Sequence, residues 1–83
     1  MRYLTYYIDK NKIDINNSIF TGTEEIFYNN ESVSRKWSFW GTKHSFEVVE
    51  NSKRVSYEIT TSIKCPMRIG FDITRDNEKL LEM

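Results

Sequence analysis

SRKWSFWGTKHSFEV, residues 34 to 48, gathers within fifteen positions both tryptophans, two phenylalanines, the only histidine and several basic groups, the types a binding or catalytic site would use. Nucleophilic catalysis needs a nucleophile, a base and a group that orients the base. His44 is the sole imidazole, and neither it nor the one thiol, Cys65, lies in a local catalytic signature. His44 therefore reads as a polar residue at the end of a turn, and Cys65 as a buried, inert thiol. Zinc takes three or four nitrogen or sulfur ligands, which one His and one Cys do not supply. Glu24 and Glu25 are adjacent, but neighbours on a strand face opposite sides and share no substrate oxygen. DKNKIDINN spaces oxygen donors at Asp9 and Asn11 yet lacks the central glycine and terminal glutamate of a calcium loop. The three glycines, at 22, 41 and 70, are too scattered for a phosphate loop. The sequence thus predicts no catalytic residue, no metal and no cofactor, and hence not an enzyme.

Aromatic groups flanked by Lys and Arg on a sheet are how single-strand binders stack bases and hold phosphates. Arg35, Lys36, Trp40, Lys43 and Tyr57 are candidates for that role. Two features weigh against it. Twelve Lys and Arg balance twelve Asp and Glu, so no net field attracts a polyanion or an anionic membrane. Trp37 shares the phase of Val33 and Phe39, which predicts a core position. Trp40 falls out of that phase and is the aromatic expected at the surface.

The elements that must hold these groups are short. Eighty-three residues fit one domain, residues 1–83, and 39% hydrophobic with 14% aromatic content suits a folded chain. A single cysteine and the absence of an apolar leader in MRYLTYYIDKNK predict a reducing, cytoplasmic setting, and no apolar run is long enough to span a bilayer. Clusters of Asn, Asp, Lys and Ser recur every eight to twelve residues, with alternation of period two between them. RYLTYYI sets Leu4, Tyr6 and Ile8 against Tyr3, Thr5 and Tyr7. KIDIN puts Ile13 and Ile15 on one face. Gly22 is free to take a positive φ. EEIFYN, an Asn29–Asn30 turn and SVSRKWSFW form a hairpin; GTK turns again into HSFEVVE, where Phe46 and Val48 are in phase. RVSYEITTSI directs Val55, Tyr57, Ile59 and Thr61 inward and Arg54, Ser56, Glu58 and Thr60 outward, as in a sheet wet on one side. MRIGFDIT aligns Met67, Ile69, Phe71 and Ile73, and RDNE reads as a turn into a final strand. No internal repeat is visible. Seven to eight short strands with almost no helix signal predict a compact antiparallel β-sandwich or small barrel.

KIDINNSIFTGTEEIFYNNESVSRKWSFWGTKHSFEV resembles the repeated domain of the Fas apoptosis inhibitory molecule family. The positions that carry the resemblance are Lys12, Ile13, Asp14, Thr21, Gly22, Asn29, Asn30, the Arg35–Lys36 pair, Trp37, Phe39, Gly41 and Phe46, with GFDITRDNEKLL following the final strands more loosely. Asn replaces glycine in the turns, Trp37 follows the basic pair directly, and SIKCPM has no counterpart. The resemblance implies an antiparallel β-sandwich without catalytic residues that acts through protein contacts in the cytoplasm, in survival signalling or in protecting proteins from aggregation. The matching positions read as framework, so no binding residue is carried across.

The expectation is a non-enzymatic module whose partner is another protein. A single-strand nucleic-acid binder is the second reading, and a small inhibitor encoded by a virus or mobile element is a variant of the first. The predicted contact surface is Lys36, Trp40, Lys43 and His44. The predicted core is Trp37, Phe39, Phe46, Val55, Tyr57, Ile59, Ile69 and Phe71. Composition leaves the oligomeric state open.

Overall fold

The computed structural model describes residues 2–18, 22–37, 41–64 and 68–82. Among the described residues all eight regular elements are antiparallel strands, divided between two four-stranded sheets rather than one closed sheet. The chain separates into two compact units, Met1–Phe39 and Trp40–Met83, each holding one sheet.

The first unit is a meander of β1 (Arg2–Ile8), β2 (Asn11–Ser18), β3 (Thr23–Tyr28) and β4 (Glu31–Trp37) in that spatial order. Its turns sit where the Asn and Asp clusters stand, because these side chains tolerate the left-handed region: Asp9 has φ 53°, Asn29 50° and Asn30 69°. Gly22 takes the expected positive φ of 73°. One face is lined by Ile13, Ile15 and Ile26, all fully buried. Each such side chain contributes about 1.5–3 kcal/mol of burial.

β4 holds the first correction. Pairing with β3 runs Tyr28–Glu31 and Phe27–Ser32, then slips to Ile26–Ser34, so Val33 is an extra residue with no opposite number. A one-residue bulge sends every later side chain to the other face. Ser34 and Lys36, not Val33 and Arg35, therefore stand across from Ile26 and Glu24, while Arg35 and Trp37 pair with Glu25 and Thr23 on the opposite side. Trp37, predicted in the core, is 66% exposed.

The second unit is a meander of β5 (Gly41–Glu50), β6 (Lys53–Lys64), β7 (Arg68–Arg75) and β8 (Glu78–Glu82). Alternation on β6 is as predicted: Val55, Tyr57, Ile59 and Thr61 are buried and Arg54, Ser56 and Glu58 exposed. Phe71 and Ile73 are buried as well, whereas Ile69 and Phe46 are half-buried, Phe46 stacking on Tyr57 with ring centroids 5.3 Å apart. GTK is not a turn. Gly41, Thr42 and Lys43 pair in register with Ser62, Thr61 and Thr60. Gly41 is needed for close approach to β6: a Cβ there would lie 2.5 Å from the Thr61 carbonyl oxygen, and its φ is +134°. RDNE is the predicted turn, leading to β8.

The two meanders share a register that the sequence did not advertise. In the first, Asn29 N–H donates to the Lys12 carbonyl at 2.8 Å while Lys12 N–H donates to Asn29 Oδ1 at 2.8 Å. In the second, Asp76 N–H donates to the Ser56 carbonyl at 2.8 Å while Ser56 N–H donates to Asp76 Oδ1 at 2.9 Å. With Lys12 matched to Ser56 and Asn29 to Asp76, the β2–β3 pairs Ile13–Tyr28 and Ile15–Ile26 coincide with the β6–β7 pairs Tyr57–Arg75 and Ile59–Ile73.

Candidate functional site

Of the four predicted contact residues, Lys36 and Lys43 are exposed, one in each unit. Lys43 makes an ion pair with Glu58 at 3.0 Å. Trp40 lies outside the described residues, as do Phe39 from the predicted core and Cys65. His44, expected at the contact surface, is instead fully buried, because Gly41–Lys43 belongs to the strand and its side chain takes the inward phase across from Ile59. Its Nε2 lies 2.8 Å from Thr42 Oγ1, which is 3.3 Å from Thr61 Oγ1; Thr61 Oγ1 also accepts from the Thr42 N–H at 3.2 Å. The arrangement ties a buried imidazole to two hydroxyls across β5 and β6. Tyr57 is also buried, which removes it from the set of base-stacking candidates.

A buried polar cluster at the other end of the same sheet was not anticipated. Glu50, 8% exposed, accepts from the Tyr57 hydroxyl at 2.6 Å through Oε2 and from Arg75 Nη2 at 2.8 Å and Nε at 3.2 Å through Oε1. Burial, then the hydrogen bond and charge of Glu50, push the Tyr57 phenol up to about 12, with Arg75 acting in the opposite direction. The same bonds raise the Arg75 guanidinium above its ordinary value, Glu50 contributing most. The cue is present in the sequence: Glu50 follows Val48, and Arg75 follows Ile73, in the apolar phase of their strands. A charge at an inward position requires a partner.

On the outer face of the second sheet a polar depression of about 460 Å³ is lined by Ser45, Glu47, Ser56, Glu58 and Thr74 with the Asp76–Asn77 turn. Two of its carboxylates have cations, Arg54 lying 3.6 Å from Glu47 and Lys43 3.0 Å from Glu58, while Asp76 Oδ1 accepts from the Ser56 N–H. Among the described residues no group of three or more His, Cys, Asp or Glu side chains could hold a metal ion. Among the described residues no helix is long and apolar enough to cross a membrane.

Comparison with protein-family models, with curated proteins and with solved structures finds no match. The chemistry of the surface therefore carries the functional reading. Among the described residues three large apolar side chains are mostly exposed: Tyr7 at 69%, Trp37 at 66% and Val49 at 70%. Trp37 alone sits on a strand that is exposed at five of its seven positions, beside exposed Arg35 and Lys36. The outer side of that sheet also presents half-buried Phe27 and Lys12, whose ammonium lies 3.4 Å from buried Asp14.

Proposed function

We propose that this chain is a non-enzymatic protein-binding module whose partner docks on β4, with Trp37 as anchor and Arg35 on the same face. The observation that carries the proposal is the 66% exposure of Trp37 on an edge strand. Trp and Arg are enriched among the residues that dominate protein interfaces; Trp covers a large area with few rotatable bonds, and Arg adds a planar fork of donors. Burial of the one imidazole supports a non-catalytic role. The Fas apoptosis inhibitory molecule resemblance implies the same class of action, and a cytoplasmic regulatory or anti-aggregation role belongs to this proposal.

The test compares wild type with Trp37→Ala. A partner captured from the source organism, purified and titrated, is expected to bind the variant about 10- to 100-fold more weakly, the effect of losing an aromatic hot spot. Equal affinity of the two proteins sinks the assignment of β4. A single-stranded oligonucleotide at low salt should leave tryptophan emission unchanged; quenching that salt reverses favours a nucleic-acid binder instead.

A further inference from the structure

We propose that the open edge of β1 is a self-recognition surface at which a second copy of this chain adds its own β1 antiparallel. The surface is distinct from the partner site proposed on β4. The two sheets present four edge strands, β1, β4, β5 and β8. An edge is a template for another strand unless charges, bulges or brevity guard it. β4 carries a bulge at Val33 together with Arg35 and Lys36. β5 carries Lys43 and Glu47. β8 is five residues long, holds Glu78, Lys79 and Glu82, and slips register at Leu80. β1 carries Arg2 and a register shift only at its start, before Leu4, and is unguarded from Leu4 to Ile8: LTYYI has no charge, proline or glycine and pairs with Ile15 to Asn11 without interruption.

The occupant follows from the same features. A charged strand laid on this edge would lose hydration without gaining a counter-ion, so the complement is another neutral strand rich in aromatic and branched residues. Among the four edges of the chain that description fits β1 itself. In a two-residue hairpin the closing pair, here Ile8–Asn11, exchanges both backbone bonds; by alternation the N–H and C=O of Tyr7 and Thr5 face the open edge. A two-fold axis at Tyr6 then sets Thr5 against Tyr7 of the second copy, and Tyr7 against Thr5, with those backbone groups opposed. Leu4 meets Ile8 of the second copy on the face that also carries Ile13 and Ile15. The contact is isologous, so it closes at two copies.

Sedimentation velocity of the full chain from about 10 µM to about 1 mM covers the range in which a small neutral contact populates its dimer. The average mass should climb from one chain toward two. Tyr7→Glu places a charge on the edge yet faces Lys12 within the sheet, and Tyr7→Pro removes the outward N–H; each should weaken self-association at least tenfold while circular dichroism is unchanged. Trp37→Ala should associate like wild type. In a mixture of isotope-labelled and unlabelled wild-type copies, contacts between copies should join Leu4 to Ile8. A constant single-chain mass throughout, variants that associate as wild type does, loss of the dimer in Trp37→Ala, or copy-to-copy contacts at another strand would each overturn the proposal.

Discussion

Glu50 shows how a carboxylate survives in the apolar phase of a strand. Its two oxygens are divided between a neutral donor, Tyr57, and a cation, Arg75, so neither faces the interior without a proton donor. The consequence for pH dependence runs through Tyr57. Its folded pKa, about 12, lies above the value of about 10 expected in the unfolded chain, so the folded state holds the proton more tightly. The stability this contributes is complete below about pH 10 and is lost as pH rises through about 12. Tyr57→Phe, which cannot ionise, should cost about 1–2 kcal/mol at neutral pH, because Glu50 keeps Arg75 but loses a donor. Urea midpoints should fall more steeply in wild type than in Tyr57→Phe between about pH 10 and 12, the window set by the phenol. Parallel curves would mean that the hydroxyl is not ionising against the fold. Legibility in the sequence was uneven at this scale. Val55, Tyr57 and Ile59 follow simple alternation, whereas Trp37 and His44 were assigned to the wrong sides. Each error came from a strand boundary or register, not from misjudging the residue.

Turns were the most legible elements and the bulge the least, for one physical reason. A turn needs local backbone conformations that Asn and Asp favour, so ENSK and RDNE announce themselves, and Asn51, Ser52, Asp76 and Asn77 all have positive φ. The bulge at Val33 is decided by what stands across from it on β3, and no glycine marks it. The reciprocal bonds between turn and neighbouring strand make a prediction for both units. Asn29→Ala and Asp76→Ala each remove the side-chain acceptor of a strand amide and leave alanine at φ 50° and 48°. Each should cost about 1–2 kcal/mol in urea unfolding, Asn29→Ala the more of the two because Asn29 Nδ2 also donates to Asn11 Oδ1 at 3.0 Å. A negligible effect in one and a large one in the other would show that the shared register is not a shared energetic device. Sequence comparison within the chain misses this repeat, since the clearest common letters are Asn30–Glu31 and Asn77–Glu78, and backbone geometry rather than side-chain identity is what recurs.

Charge governs the behaviour of the whole molecule in solution. Twelve basic and twelve acidic groups cancel at neutral pH, and the isoelectric point is about 6.6. Long-range repulsion between copies is then smallest under the conditions where the neutral β1 edge is free to pair. Lowering the pH toward the ordinary carboxylate range protonates acidic groups at the surface, giving every copy the same positive sign. Light scattering should therefore find the interaction between copies most attractive near pH 6.6 and repulsive by about pH 4.5, with added salt restoring attraction at the acid end by screening. Because the β1 edge contains no titrating group in this range, the pH effect acts on the approach of whole molecules and not on the contact itself. Tyr7→Pro, which leaves the net charge untouched, should retain the trend with pH but lose the dimer at its centre. A virial coefficient that is flat across this range in wild type would separate self-association from net charge and leave edge pairing as its sole control.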